Sequence, residues 1–322
     1  MKPNQPISLG LIGTGRIAAK FVSEIAAVPD FELVGVYNPN IESAKRFSEI
    51  NCSQQVKVFE LLPGLLGSVD AVYIASPHFS HYEYSKAALE GGVHVLCEKP
   101  ISISSDEVAV LYSLAREKRL AFVDGIKTAY YPGFACLEKV IANGEIGEVV
   151  AVDASFTKLV SQDASELRSD DGGSVLWLAS YPLYAISRFL GTEFIDTEFY
   201  SLENERGVDI FTRGVVAYKG GSASFKVGFG AKTDGDLVVT GTKGFAVVPA
   251  PWWNTKSFWL GFEDPNEVKE YSCELDGYGL RYEIEEFARL IQEGKTESEH
   301  LTESDSAFQA KVLAAFVSQK VQ

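Results

Sequence analysis

Residues 13–18 read Gly-Thr-Gly-Arg-Ile-Ala, set between the apolar run ISLGLI (7–12) and the helix-like stretch AAKFVSEIAAV that begins at Ala18. A strand that turns sharply into a helix through G-x-G-x-x-A is a narrow specification. Gly13 permits the tight turn, Gly15 keeps a side chain out of the path of a pyrophosphate, and Ala18 lets the helix pack close to the strand. The free N–H groups of the first helical turn then face an anion. The motif predicts a dinucleotide cradle. Where a carboxylate for the ribose 2′-hydroxyl usually stands, about 20 residues further on, this chain has Asn38, followed by Pro39 and Asn40. Asn38 neither repels nor neutralises a 2′-phosphate. Lys45 and Arg46 could meet one or simply be solvated, so NAD and NADP both stay open.

The surrounding pattern supports the cradle. ISLGLI is followed by ELVGVY (32–37), QVKVF (55–59), DAVYIAS (70–76), HVLCEK (94–99) and AFVDGI (121–126), with helical stretches between them. That is the rhythm of parallel βαβ units, in which right-handed crossovers build a doubly wound sheet with its ligand crevice at the carboxyl ends of the strands. One connecting helix carries its own start signal: a capping box in Ser104 and Glu107, followed by Val108, Leu111, Leu114 and Ala115 at helical spacing. Past residue 126 the pattern changes. After one more helix ending near Gly144 and Gly147, a run of alternating segments with glycine-rich turns (EVVAVDASFTKL, EFIDTEFYSL, GVDIFTRGVVAY, SASFKVGFG, DLVVTGT, GFAVVPA) predicts a large antiparallel sheet. The helix GGSVLWLASYPLYAISRFL interrupts it, and two helices close the chain. The reading is an α/β protein of two domains: a dinucleotide-binding domain, 1–125, and an α+β domain, 126–322, for substrate binding and oligomerisation.

Charge and cysteine usage exclude other classes. With 29 Lys and Arg against 44 Asp and Glu, the net charge of −15 repels phosphate backbones and anionic membranes. Nucleic acid and membrane are therefore not expected partners. Four cysteines without a C-x-x-C pair define neither a zinc ribbon nor a disulfide framework, and fit a reducing cytosol. The start, MKPNQP, has no signal-peptide core, and no run approaches the roughly 20 apolar residues of a membrane span. A cytoplasmic protein is expected.

Two strand ends bring reactive side chains to the crevice: Ser76-Pro77-His78-Phe79-Ser80-His81 after the fourth, and Glu98-Lys99-Pro100 after the fifth. Lys99 could anchor a substrate hydroxyl, hold a nicotinamide ribose or pair with Glu98. His78 and His81 lie three apart, but no third metal ligand is evident, so no metal is expected. GTGRIA, the SPHFSH stretch, ALEGGVHVLCEKP and GEIGEVVAV together resemble the Gfo/Idh/MocA oxidoreductases, in particular the branch that contains the dimeric dihydrodiol dehydrogenases.

That resemblance implies a Rossmann domain joined to an open-sheet domain. It also implies hydride transfer between NAD or NADP and a hydroxyl-bearing or carbonyl carbon of a sugar, polyol or dihydrodiol-like small molecule. It casts Lys99 as the group that hydrogen-bonds the reacting oxygen and stabilises its alkoxide character. Gly13, Thr14, Gly15, Arg16, Ile17, Asn38, Ser76, Pro77, His78, His81 and Glu98 become the expected cofactor contacts, with His78 standing where the family usually has Asn.

Along Gly172–Pro182 the family typically reads G-G-x-x-x-D-x-G-x-H, or ends in Tyr in the dihydrodiol branch. Here the Asp position holds Trp177, and Tyr181 holds the acid/base position. A phenol near pKa 10 is a weak base at neutral pH, but a nearby lysine ammonium favours the phenolate, so Tyr181 with Lys99 could run the proton transfer. Trp177 is either a substrate wall or a plug in a site without turnover. Lys127 and Tyr131 are further candidate substrate contacts, and Trp252-Trp253 are assigned to core or a subunit interface. The alternative function is a non-catalytic NAD(P)-binding sensor or regulator. A homodimer, or a dimer of dimers, is expected through the open sheet, whose apolar face would otherwise be exposed.

Overall fold

The computed structural model of the chain describes residues 5–52, 56–168 and 172–320. Contacts group them into two compact units: residues up to Lys127 with Asp276–Ser306, and Thr128–Leu275 with the residues from Ala307 onward.

In the first unit the chain runs β1 (Ile7–Ile12), α1 (Arg16–Ile25), β2 (Phe31–Tyr37), α2 (Ile41–Asn51), β3 (Lys57–Phe59), α3 (Leu62–Leu66), β4 (Ala71–Ile74), α4 (His81–Glu90), β5 (His94–Glu98), α5 (Ser105–Lys118) and β6 (Phe122–Gly125). The six strands form a sheet in the order β3-β2-β1-β4-β5-β6, parallel throughout. Order reverses at β1 and β4, which places a topological switch point beside the Gly13 loop. Leu9, Leu11 and Ile12 of β1 and all of β4 are buried, as expected for strands covered on both faces. Helix α5 starts as the sequence predicts, with Ser104 Oγ accepting from Glu107 N at 3.4 Å. Its inward face is Val108, Leu111, Tyr112 and Ala115; Tyr112 takes the place anticipated for Leu114, its ring meeting Phe122 edge-on at 4.9 Å. Of QVKVF only Lys57–Phe59 is strand, and Gln55 lies outside the described residues.

The second unit contributes α6 (Pro132–Ala142), β7 (Val149–Thr157), α7 (Ser174–Leu178), α8 (Ser180–Leu190), β8 (Asp196–Glu203), β9 (Asp209–Tyr218), β10 (Gly221–Gly228), β11 (Leu237–Gly241), β12 (Phe245–Val248), β13 (Ser257–Gly261) and β14 (Val268–Ser272). Their order is β14-β13-β12-β11-β7-β10-β9-β8; β7 and β10 run parallel, and the other neighbours are antiparallel. Strands β13 and β14 extend beyond what the sequence pattern indicated. The helix anticipated over 172–190 is broken at Ala179, because Pro182 lacks the N–H that would bond the Leu178 carbonyl. A further helix, α9 (Leu280–Glu293), packs on α1 in the first unit; the last, α10 (Glu303–Lys320), starts there and continues into the second. The division at residue 125 anticipated from sequence therefore misses a return of the chain: Asp276–Ser306 rejoins the first unit.

Candidate active site

The cradle is built as its residue types require. Gly13 has φ +101°, and a Cβ there would lie 2.5 Å from the Ala75 carbonyl oxygen. Gly15, by contrast, would carry a Cβ into open space. It is the N-cap of α1, with no side-chain cap on that helix, so the opening where a dinucleotide pyrophosphate would sit stays free and the helical N–H groups face it. Ala18 is buried against the sheet. These residues fit the cofactor. Arg16 is exposed and Thr14 and Ile17 half-buried at the rim.

Asn38 organises the neighbouring loop. Its Nδ2 donates to Thr14 Oγ1 at 2.8 Å, its Oδ1 accepts from Asn40 N at 2.8 Å, and Thr14 shares a hydrogen bond with Ser43 at 2.8 Å. Lys45 is engaged by Glu42 at 2.9 Å, whereas Arg46 is exposed.

After β4, Ser76 and Pro77 lead into a 3₁₀ turn at His78–Ser80, closed by a hydrogen bond between Ser76 Oγ and Ser80 Oγ at 2.8 Å. His78 is half-buried there; burial, then the Lys99 charge, lowers its pKa to about 4. His81 is 2 % exposed, with Nε2 2.8 Å from the Ser76 carbonyl oxygen and Nδ1 2.9 Å from that of Pro100, so the ring sits between the ends of β4 and β5. Among the described residues no group of three or more candidate ligands could hold a metal.

Lys99 leaves the end of β5 through a cis peptide bond to Pro100. Around it lies a set of buried acids, of which the sequence indicates only Glu98. Glu98 accepts from Tyr73 Oη at 2.6 Å, Asp124 accepts from Ser306 Oγ at 2.9 Å, and Glu283 reaches in from α9 with neither carboxyl oxygen hydrogen-bonded. Burial raises the pKa of Glu98, with Lys99 and Tyr73 opposing. Asp124 is pushed up to about 7, again chiefly by burial. Burial, and then the Glu98 charge, raises the pKa of Glu283 well above its ordinary value. Burial lowers Lys99 while Glu98 and Asp124 hold it up, and Lys127, whose Nζ donates to the Tyr278 carbonyl at 3.5 Å, is lowered in the same way. Alternating strand residues carry no polar signature for this cluster; only Glu98, adjacent to Lys99, was visible in advance.

In the second unit, Trp177 and Tyr181 are half-buried at the end of α7 and the start of α8. The Tyr181 ring meets Phe156 of β7 edge-on at 5.1 Å, and Phe156 stacks on Trp253 at 3.7 Å and 11°. The tryptophan pair thus divides. Trp252 is core, its Nε1–H donating to the Ser155 carbonyl at 2.9 Å, whereas Trp253 is half-buried and belongs to the aromatic row beside Tyr181. Tyr131 is fully buried, its hydroxyl donating to Asn254 Oδ1 at 3.3 Å.

A doubly wound sheet with a pyrophosphate cradle and a strand-end lysine among buried acids defines the nicotinamide-dependent oxidoreductase class. Residues 7–125 match the model of the oxidoreductase family with an NAD-binding Rossmann fold, and residues 134–247 match the GFO/IDH/MocA C-terminal domain. The chain belongs to the Gfo/Idh/MocA oxidoreductase family. Over 94 % of both chains it is 27 % identical to trans-1,2-dihydrobenzene-1,2-diol dehydrogenase of Bos taurus. It is also 27 % identical to D-xylose 1-dehydrogenase (NADP(+)) 2 of Haloferax volcanii, over 89 % of this chain and 90 % of that one. The crystal structure of a 3-ketoreductase from Actinomadura kijaniata with NADP and TDP-benzene superposes with a TM-score of 0.83 at 26 % identity, covering 97 % of each chain.

Proposed function

We propose that the protein transfers a hydride between NADP and a ring carbon bearing a hydroxyl or carbonyl group, on a sugar, cyclic polyol or dihydrodiol. The observation that carries this reading is Lys99, held at the end of β5 among buried acids and in the same sheet as the Gly13–Gly15 cradle. The bound nicotinamide supplies the hydride chemistry. Gly13, Thr14, Gly15, Arg16 and Ile17 hold the pyrophosphate, and Ser76, Pro77 and His78 border the nicotinamide side. Lys99 hydrogen-bonds the reacting oxygen, and its ammonium stabilises the alkoxide character that develops there. Tyr181 exchanges the proton of that oxygen. Within the second unit, Phe156 and Trp253 stack beside Tyr181, an apolar surface suited to an arene or the C–H face of a pyranose.

NADP is favoured over NAD because relatives named above act with or were crystallised with it, and because Asn38 adds no negative charge against a 2′-phosphate. A cytoplasmic location and a homodimer through the outer face of the eight-stranded sheet complete the proposal. The scattered thiols support the first, and among the described residues no helix is long and apolar enough to cross a membrane.

The test is a screen of trans-dihydrodiols, aldoses and inositols with NADP and NAD, on the wild type, Lys99→Ala and Tyr181→Phe. Each substitution is expected to lower kcat by about 100-fold or more while NADPH still binds. Turnover unchanged in both variants would refute these assignments.

A further inference from the structure

Helix α7, which carries Trp177 and leads into Tyr181, is only five residues long and cannot fix its own direction by length. Its N-terminus is held from outside. Asp209, the first residue of β9 and 1 % exposed, accepts from Ser174 Oγ at 2.8 Å and from Val175 N at 2.9 Å, both on Oδ2. Thr212 Oγ1 adds a longer bond to the same oxygen at 3.4 Å. The second oxygen, Oδ1, accepts from Lys320 Nζ at 3.0 Å, at the far end of α10. The glycine pair is part of the same construction: Gly173 has φ +116°, and a Cβ there would collide with Asp209 Oδ1. A carboxylate supplied from the sheet therefore does what the helix's own N-cap residue, a glycine, cannot.

We infer that Asp209 is a positioning residue for the reaction: it anchors the start of α7 on the sheet and so sets where Trp177 and Tyr181 stand. This rests on the reading of Tyr181 as the proton-exchanging group. A charge-assisted cap on a buried carboxylate is stronger than a neutral one and directional, and losing it frees the N-terminal turn of a short helix that is otherwise held by the packing of Val175 and Leu178 and by the bond from Gly173 N to the Glu166 carbonyl at 2.9 Å. Asp209, 1 % exposed, has both its oxygens bonded to protein donors and acts through the helix it holds. Lys320 neutralises it, so that its burial does not leave an uncompensated charge.

The test compares Asp209→Ala, Asp209→Asn, Ser174→Ala and Lys320→Met in the full-length protein, reading kcat, substrate KM, the NADPH dissociation constant, far-ultraviolet circular dichroism and tryptophan emission. Asp209→Ala is expected to lower kcat by about tenfold to 100-fold, the scale of a misplaced catalytic group, with NADPH affinity unchanged and the Trp177 contribution to emission shifted. Asp209→Asn keeps an acceptor for Val175 N and is expected to recover most of kcat; Ser174→Ala and Lys320→Met, each removing one bond, fall between. If Asp209→Ala fails to fold, those two milder variants decide. The inference is overturned if kcat stays within about twofold of wild type in every folded variant, or if kcat falls only in step with NADPH affinity. Tyr181→Phe, run in parallel, separates the two readings. Full activity there refutes the role of Tyr181, whereas an inactive Tyr181→Phe beside an unaffected Asp209→Ala refutes the anchor alone.

Discussion

His81 sits between two strand ends. A neutral imidazole has one N–H and donates to one carbonyl at a time, yet both Ser76 and Pro100 offer their oxygens. The ring therefore ties one or the other strand end in place, the second of them carrying Lys99. His81→Phe keeps the volume and removes the donor. Its kcat is expected to fall about tenfold by displacement of Lys99, with NADPH affinity nearly unchanged; His81→Gln, which restores a donor, recovers part of the loss. Stopped-flow kinetics beside a fluorescence titration of NADPH checks this, and a proportional loss of affinity would make His81 a cofactor contact. Asp124 allows a pH prediction with a definite sign. Its pKa rises from 3.8 to about 7 on folding, so between those values the native state holds a proton that the unfolded state has released. Stability therefore falls as pH rises through that window, by up to about 1.4 kcal/mol per pH unit, and the effect saturates above pH 7. Asp124→Asn removes it. Denaturant unfolding from pH 4 to pH 8 should show the variant gaining on the wild type up to pH 7, and parallel curves would contradict the assignment.

Elements were more legible in the sequence than the contacts between them. The parallel half announced itself because a strand buried on both faces must be a nearly continuous apolar run, and because Gly13 is required by a turn with φ +101° while Gly15 leaves the space before α1 open. Lys99 was legible for the same reason: the end of a strand in such a sheet has only one place to go. The buried acids were not, since Asp124 sits inside an apolar strand and Glu283 on a helix that returns to the first unit from more than 150 residues away. Strands β13 and β14 carry no such signal, since SFWLG lacks a polar alternation and VKEYS has only Val268 and Tyr271 to mark a strand. The aromatic row depends on a turn that no sequence pattern encodes. Trp252 is pinned to Ser155, Thr255 Oγ1 donates to the Trp252 carbonyl at 2.7 Å, and Thr128 Oγ1 donates to the Trp253 carbonyl at 2.7 Å. The indole of Trp253 is thus pre-organised on Phe156. Trp253→Ala should raise KM for ring substrates about tenfold, the value of one lost aromatic stack, with little change in kcat, as measured by initial rates over a substrate series. A change confined to kcat would move Trp253 out of the binding surface.

At the scale of the whole molecule, the eight-stranded sheet decides whether the chain acts alone. One of its faces is packed: Val152, Ala154, Val216, Ala223, Phe225, Val239, Ala246 and Leu260 are all buried. The strand register sets Val215, Ser224, Asp153, Val238, Val247 and Trp259 in one row across the other face. Apart from exposed Asp153, these residues are half-buried, and Phe245 follows one register position away. Val238, Val247 and Trp259 lie side by side on β11, β12 and β13, an apolar strip of the kind that marks an association surface, and a two-fold axis would bring the same row of a second copy against it. The net charge of −15 opposes association, and the same row carries Asp153 with Glu198 and Glu270 at its two ends, so the attraction has to come from Val238, Val247 and Trp259 between them. Light scattering coupled to gel filtration is expected to give twice the mass of one chain. Val238→Asp combined with Trp259→Asp places two charges in the strip and should yield a folded monomer with unchanged NADPH affinity, since the cradle lies in the other unit. A wild type that elutes as a single chain at micromolar concentration would show that the face is left to solvent.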